Sequence, residues 1–187
     1  MQKVIVAVTG ASGVIYAARV IEKLMALSDV IEELALVFTD NGKKVWKYEL
    51  KRDIVFSPQV KIYDNNNLFA PMASGSAGYN SMVIVPCTMG TIGRIASGVS
   101  NDLIARTADV MLKERRRLVL VPRELPYNLI HLQNMTLVAQ AGGIVLPASP
   151  SFYSFPSTIE DLIDTVVDRV VELLGFNISH YRWGEKK

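Results

Sequence analysis

The stretch KVIVAVTGASGVIYAARVIEKL, from Lys3 to Leu24, decides the fold class of this 187-residue chain. Its first part, KVIVAV, is a run of β-branched and apolar side chains, which is typical of a strand buried on both faces of a parallel sheet. From Val14 onward the apolar residues follow helical spacing, so the sequence predicts a helix there. A strand, a turn of small residues and a helix in this order predict the first unit of an α/β fold.

The rest of the chain repeats this alternation. Further apolar runs read ELALVF, SMVIVP, RLVLVP and GIVLP, and helical patterns stand between most of them. Such an order predicts a Rossmann-like α/β fold, a three-layer sandwich with a mostly parallel sheet and right-handed crossovers. The last helical pattern opens with a Ser/Thr–Glu capping signal and closes on Gly175. We expect a single domain over residues 1–187, with a C-terminal tail from about residue 176.

Composition limits the classes of partner. The chain carries 20 basic and 18 acidic residues, a formal charge of +2, which gives no electrostatic case for binding nucleic acid. It has no uninterrupted apolar run long enough to cross a membrane, so no transmembrane segment is expected. Cys87 is the single cysteine and cannot form an internal disulfide, which fits a cytoplasmic protein. We interpret it as a small buried hydrophobe rather than a nucleophile.

The glycine turn after the first strand allows two interpretations. The backbone N–H groups from Gly10 to Gly13, at the start of a helix, could bind a phosphate or the edge of a ring. Alternatively, the two glycines only permit a tight turn. The dinucleotide pattern G-x-G-x-x-G is absent, and Asp40 lies further on than the ~20 residues at which a ribose-binding acid is expected. A mononucleotide such as FMN is therefore favoured over NAD.

Two later strand ends carry polar residues of the same kind. Thr88 and Thr91 flank a Met–Gly step before a helical pattern, and they form either a second anion site or an ordinary helix cap. Arg123 and Glu124 follow the run RLVLVP. There a guanidinium could bind a phosphate and a carboxylate could move a proton, although a solvent-facing ion pair is the alternative.

Further candidates lie in the second half of the chain. Arg106 and Lys113 are seven residues apart, which places them on one helix face, where they could converge on one anion. Arg115 to Arg117 are assigned to structure or surface, because cations are common near a helix C-terminus. The stretch PASPSFYSFP around Tyr153 has no periodicity and is expected to close over a pocket. Arg169 borders the apolar stripe of the last helix.

The segments GASGVIY, PCTMGTI, IARTADVMLKERRRLVLVPRELP and SFY together resemble the flavin prenyltransferases, the UbiX-type family within the flavoprotein fold. The resemblance covers nearly the whole chain. It implies a metal-independent enzyme that joins the dimethylallyl group of dimethylallyl phosphate to N5 and C6 of reduced FMN. The prenylated FMN would serve UbiD-type decarboxylases. It also implies a homo-oligomer, expected to be a dodecamer, with sites between subunits.

The resemblance also implies residue roles. The expected catalytic residues are Ser12, Glu49 and Glu124. Ser12 would lie near N5 of the flavin, and Glu124 is expected to transfer a proton. The expected flavin-binding residues are Gly10, Ala11, Ser12, Thr39, Thr88, Met89, Gly90, Thr91 and Arg123. The prenyl phosphate would be held by Arg106, Lys113, Tyr153 and Arg169, with Trp183 packing over the prenyl group. No Asp-rich magnesium motif occurs in the sequence, and no metal site is expected.

Other functions stay open at this point. A cysteine-decarboxylating flavoprotein of the same fold would usually rely on an active-site histidine, and neither His131 nor His180 lies in a matching motif. A non-catalytic flavin-binding protein would need the glycine and threonine loops. It would not need the combination of Arg106, Lys113, Glu124, Tyr153 and Arg169. An NAD-dependent reductase ranks last. The sequence leaves open whether the prenyl donor is a mono- or a diphosphate.

Overall fold

Six parallel strands form one sheet in the order β3-β2-β1-β4-β5-β6. The computed structural model describes residues 1–184. The strands are β1 (Gln2–Val8), β2 (Ile31–Phe38), β3 (Val60–Asp64), β4 (Ser81–Cys87), β5 (Arg117–Pro122) and β6 (Ile144–Val145). The predicted fold class is confirmed, and the pairings in the described residues are all parallel rather than mostly so.

Helices cover both faces of this sheet. They are α1 (Val14–Met25), α2 (Asp40–Leu50), α3 (Met89–Ala96), α4 (Leu103–Lys113), α5 (Leu129–Gln140) and α6 (Ile159–Leu173), with short 3₁₀ turns at Pro71–Ala73 and Gly75–Ala77. Among the described residues, no helix is long and apolar enough to span a bilayer. The sequence interpretation did not identify α2 or β3.

The strands alternate their side chains between two cores. In β1, Val4 and Val6 point to the core under α1, α2 and α6, whereas Ile5 and Ala7 point to the core under α3, α4 and α5. Both sets are fully buried. A strand that is covered on both faces needs apolar side chains at every position, which is why the strands read as continuous apolar runs.

The last helix begins and ends close to where the sequence indicated. Thr158 is its N-cap, and the hydroxyl accepts from the N–H of Asp161 at 3.0 Å while the Asp161 carboxylate accepts from the N–H of Thr158 at 3.1 Å. This capping box lies one residue after the predicted one. Gly175 follows the helix with φ of +102°, as a C-terminal glycine does. Arg117 donates to the carbonyl of Leu174 at 3.3 Å, a structural role.

The chain after α6 folds back onto the α6 side of the sheet. Phe176 is only 6 % exposed, and Ile178 packs against the same core. The structure describes this predicted tail as far as Gly184, and residues 185–187 lie outside the described part.

The strand order reverses between β1 and β4, and this places the site. In open parallel sheets ligands bind beyond the carboxyl ends of the strands at such a reversal. Here the loops after β1 and β4 are tied together. The N–H of Thr88 donates to the hydroxyl oxygen of Thr9 at 2.9 Å, and that hydroxyl donates to the carbonyl of Pro86 at 2.7 Å.

Candidate active site

A cleft of about 400 Å³ opens at this reversal and is called the switch-point cleft below. Its lining residues are Thr9, Gly10, Thr39, Asn41, Thr88, Gly90, Thr91 and Arg94. They come from the loop after β1 and from the starts of α2 and α3, with Arg94 in the second turn of α3. Two helix N-termini therefore face one cleft, and their partial positive charges and free N–H groups favour an anion there.

The start of α3 presents hydroxyls and backbone. The hydroxyl oxygen of Thr88 accepts from the N–H of Thr91 at 3.2 Å and lies 2.9 Å from the Thr91 hydroxyl. A Cβ added at Gly90 would meet nothing within 4 Å, so this backbone borders open space. The Met89 side chain is only 7 % exposed and packs in the core, which leaves Met89 only its backbone as a ligand contact.

The start of α2 explains the first glycine of the loop. A Cβ on Gly10 would lie 2.6 Å from Cβ of Asn41, so only glycine lets the loop after β1 approach α2 this closely. The hydroxyl oxygen of Thr39 caps the helix by accepting from the N–H of Gly42 at 2.9 Å. Its own hydroxyl hydrogen can still be donated to a ligand.

The expected anion position at the start of α1 is occupied by the protein itself. The Glu49 carboxylate accepts from the N–H of Gly13 at 2.9 Å and from the N–H of Val14 at 3.1 Å. A phosphate placed there would meet a carboxylate. Of the N–H groups from Gly10 to Gly13 that were interpreted as holding a phosphate or the edge of a ring, the last is therefore already engaged by Glu49. Gly13 has φ of +100°, so the tight-turn alternative accounts for this glycine.

The loops after β1 and β5 meet beside the cleft. Nε of Arg123 donates to the carbonyl of Ser12 at 3.2 Å, and both residues are exposed. Glu124 is half-buried next to them, and its carboxylate accepts from the N–H of Leu125 at 3.1 Å. Ala11, in contrast, is only 7 % exposed. The structure thus brings Ser12, Arg123 and Glu124 to one edge of the sheet.

A second cavity, of about 480 Å³, lies between the loop after β6, helix α6 and the tail, and is called the aromatic cavity below. Tyr153, Arg169 and Trp183 all line it. The Tyr153 and Trp183 rings meet edge to face with their centroids 4.7 Å apart. Arg169 is ion-paired with Glu172. The predicted pocket-covering loop and three of the predicted substrate residues therefore meet here.

Arg106 and Lys113 lie elsewhere. Both are on α4, which covers the sheet face opposite to α6. Arg106 donates to the carbonyl of Ala73 at 3.0 Å and to the Asp109 carboxylate at 2.7 Å, and Lys113 pairs with Glu114. A single chain therefore does not bring all four side chains together, and the expected shared phosphate site, with residues from more than one subunit, stays a prediction. Helical spacing alone does not show which face of the sheet a helix covers.

The sequence interpretation missed several residues of the two cavities. Thr9 and Asn41 line the switch-point cleft beside the expected threonines. Arg94 also lines it, and its guanidinium pairs with Asp102 and donates to Asn101 at 3.0 Å. The spacing of three between Thr91 and Arg94 on a helix was a usable signal. His180 lines the aromatic cavity, and no local pattern pointed to it.

Two other expectations concern reactive or metal-binding groups. Cys87 is fully buried, and burial raises the pKa of its thiol far above the usual range, as befits a packing residue. Within residues 1–184 no group of three or more His, Cys, Asp or Glu side chains is placed to hold a metal ion.

Comparison with known proteins agrees with this geometry. A family model for flavoproteins matches residues 1–173. The flavin prenyltransferase UbiX of Methanocaldococcus jannaschii is 44% identical over 187 residues, which cover 97% of this chain and 98% of that protein. This chain belongs to the flavin prenyltransferase family. The family resemblance of the sequence is thereby confirmed.

Two solved structures of similar proteins extend the comparison. The AnUbiX (PadA1) protein, solved in complex with FMN and dimethylallyl pyrophosphate, is 40% identical with a TM-score of 0.86 and covers 98% of this chain and 99% of its own. A dodecameric FMN-dependent UbiX-like decarboxylase from Escherichia coli O157:H7 is 32% identical with a TM-score of 0.89, over 99% of this chain and 100% of its own.

Proposed function

We propose that this chain is a flavin prenyltransferase, which joins the dimethylallyl group of dimethylallyl phosphate to N5 and C6 of reduced FMN. The observation that carries the proposal is the aromatic cavity, where Tyr153 and Trp183 lie beside the Arg169 guanidinium. An allylic phosphate has an apolar end that suits the two rings and an anionic end that suits the guanidinium. The product, prenylated FMN, would pass to a UbiD-type decarboxylase.

The switch-point cleft fits FMN by the chemistry of its donors. Hydroxyls of Thr39, Thr88 and Thr91 and the N-termini of α2 and α3 would hold the phosphate end. The loop Gly10–Ser12 and Arg123 lie beside the cleft and would contact the ring system. Reduced FMN, when bound, supplies the nucleophilic ring atoms that accept the prenyl group.

The charged and aromatic residues would act on the prenyl donor. Cationic side chains, Arg169 among them, stabilise the negative charge that develops on a departing phosphate. The faces of Tyr153 and Trp183 stabilise the positive charge of the allyl group. Glu124 is proposed to move the proton, with Ser12 and Glu49 as further members of the catalytic set. These fixed positive charges would stabilise the departing phosphate as a metal ion does in most prenyltransferases. We therefore expect activity to survive EDTA.

The complete site needs more than one copy of the chain. Arg106 and Lys113 lie on the opposite face of the sheet from Arg169, so one copy cannot bring all three to one phosphate. We propose that another copy supplies the α4 cations. The dodecameric assembly of the similar E. coli protein supports a dodecamer here.

The alternative functions explain less. A flavin-binding protein without catalysis has no use for an aromatic pair beside a guanidinium. A cysteine decarboxylase of this fold would usually rely on an active-site histidine, whereas the His180 side chain is 8 % exposed and its Nε2 lies 2.7 Å from the Glu172 carboxylate.

The proposal is tested by phosphate release. Under anaerobic conditions the protein is mixed with dimethylallyl phosphate and with reduced FMN, oxidised FMN or NADH, with and without EDTA. We expect inorganic phosphate to appear only with reduced FMN and at an equal rate with EDTA. Phosphate release that needs added magnesium, or that proceeds without reduced flavin, would contradict the proposal.

A further inference from the structure

Three basic side chains converge on one carboxylate beside the aromatic cavity. Glu172 pairs through Oε2 with Arg169, and Oε1 lies 2.7 Å from Nε2 of His180 and 3.1 Å from the Arg182 guanidinium. Arg169 belongs to α6, whereas His180 and Arg182 belong to the tail. The Glu172 side chain is only 17 % exposed. One carboxylate therefore connects the helix and the tail.

Without its basic partners, a carboxylate at this position would destabilise the helix. Glu172 lies in the last turn of α6, where the negative end of the helix dipole disfavours an anion. The basic partners offset this unfavourable interaction with the helix dipole. The contact with His180 and the charge of Arg169 hold the pKa of Glu172 below its ordinary value, so the carboxylate stays ionised at neutral pH.

Two of the three partners of Glu172 line the aromatic cavity, and the third, Arg182, is next to a residue that lines it. Arg169 and His180 line it, and Trp183 follows Arg182 directly and contacts Tyr153. Phe176 and Ile178 anchor the first part of the tail in the core. Beyond them, the Glu172 contacts and the Tyr153–Trp183 contact join the tail to α6 and to the loop after β6.

The carboxylates that line the cavity are engaged by partners other than Arg169. Asp164 binds Arg19 and Lys23, Asp168 binds Lys23, and Asp161 caps α6. Within the described residues, Glu172 is thus the ion-pair partner of Arg169. A guanidinium has five N–H donors, so a pair with one carboxylate oxygen orients Arg169 and leaves donors for an anion.

We propose that Glu172 is a positioning residue of the aromatic cavity. It orients Arg169 toward the substrate phosphate, and through His180 and Arg182 it holds the tail so that Trp183 stays against Tyr153. The assignment of the anion as a prenyl phosphate rests on the proposed function, whereas the link between helix and tail does not.

The test compares Glu172→Gln with Glu160→Gln. Glu160 is exposed in the first turn of the same helix and serves as the matched control. Because Glu172→Gln removes an anion from a helix C-terminus, the variant is expected to fold. In ligand-free protein, trypsin cleavage after Arg182, followed by intact mass, should accelerate roughly fivefold in Glu172→Gln and stay at the wild-type rate in Glu160→Gln.

Kinetics then test the link to the substrate. Glu172→Gln should raise KM for dimethylallyl phosphate about tenfold, with kcat within about twofold and unchanged affinity for FMN, because binding of one ligand is weakened and the chemistry is not. Glu172→Asp, which keeps the charge, should recover most of the loss. Equal cleavage rates in Glu172→Gln and Glu160→Gln, or faster cleavage with unchanged KM, would overturn the proposal.

His180→Gln provides the second variant. It leaves the Glu172–Arg169 pair intact, so cleavage after Arg182 should accelerate while KM rises less than in Glu172→Gln. No acceleration of cleavage would overturn the proposal. Since cleavage is measured without flavin or prenyl donor, its result stands apart from the proposed function, which is tested separately with the wild-type protein.

Discussion

At the scale of single residues, two glutamates at the carboxyl edge of the sheet have different surroundings. Glu49 is held by two backbone N–H groups at the start of α1, whereas the contact found for Glu124 is with the N–H of its own neighbour. A carboxylate that moves a proton needs access to the reacting atoms. Glu124 is therefore the better candidate for proton transfer, and Glu49 has an evident structural task.

Glu124→Gln keeps the shape of the side chain and removes the titrating group. We expect FMN binding to be retained and prenylated flavin to form about 10²–10⁴-fold more slowly, the range that a general acid or base contributes. Arg123→Ala, the matched variant at the preceding residue, should instead weaken FMN binding. Single-turnover kinetics on FMN-loaded protein separates the two effects. Product formation at the wild-type rate in Glu124→Gln would remove Glu124 from the mechanism.

Glu49→Ala leaves the N–H groups of Gly13 and Val14 without their partner. The loss of such a cap is expected to lower the free energy of unfolding by about 1–2 kcal/mol. Urea denaturation measures it, with Asp29→Ala, an exposed acidic residue in the turn before β2, as the control. A loss no larger than that of the control would show that the Glu49 contacts do not stabilise α1.

At the scale of elements, helices α1 and α6 are joined by ion pairs. Arg19 donates to both oxygens of Asp164, at 3.0 and 2.7 Å, and Lys23 reaches the same carboxylate at 3.0 Å. Burial alone would raise the pKa of Asp164, but the bonds from Arg19 and Lys23 outweigh it and hold the pKa below the ordinary value. The pairs therefore fix α6, and with it Arg169, against α1.

This lowered pKa has a consequence for the pH dependence of stability. A carboxylate with a lowered folded-state pKa contributes stability fully above its unfolded pKa of about 3.9, and the contribution is lost as the pH falls through the folded value. Asp164→Asn should therefore be less stable than wild type at pH 7, and the gap should narrow below about pH 4. Urea denaturation at pH 7 and below about pH 4 measures the difference in free energy of unfolding between the two proteins. A difference that does not narrow at the lower pH would contradict the stabilising role assigned to the ionised Asp164.

The elements also show what the sequence can and cannot predict. β1 and α6 were predictable because a strand covered on both faces is apolar throughout and α6 has a cap and a terminal glycine. Helix α2 was missed because only Gly42 and Trp46 of it are buried, and β3 because it is an edge strand with one buried residue. Strand ends could be located in the sequence, and Thr88 and Arg123 with them.

Other parts of the site depend on long-range packing. Helical spacing placed Arg106 and Lys113 on one face of α4 but could not show that α4 and α6 cover opposite faces of the sheet. The contact between His180 and Glu172 requires the tail to fold back, and no local pattern encodes that. The engagement of the Gly13 N–H by Glu49 was not foreseen, because Glu49 comes from a helix that the sequence interpretation missed.

At the scale of the whole molecule, the proposal that copies share a site predicts complementation. Lys113→Ala and Arg169→Ala should each be inactive alone, because each removes one cation from every site. Assemblies that contain both variants should regain part of the activity, since some sites then combine intact side chains from two copies. A chain carrying both substitutions is the control and should stay inactive. No recovery in verified mixed assemblies would mean that the residues do not act in one shared site.

The central claim is that the protein attaches a dimethylallyl group to the flavin ring, and mass spectrometry of the flavin tests it most directly. The wild-type protein is incubated without oxygen with reduced FMN and dimethylallyl phosphate, and the flavin is extracted and fragmented. The account predicts a flavin heavier than reduced FMN by one dimethylallyl group less one hydrogen, with the added mass on the ring system. Recovery of unmodified FMN alone, from protein shown to bind both ligands, would contradict it.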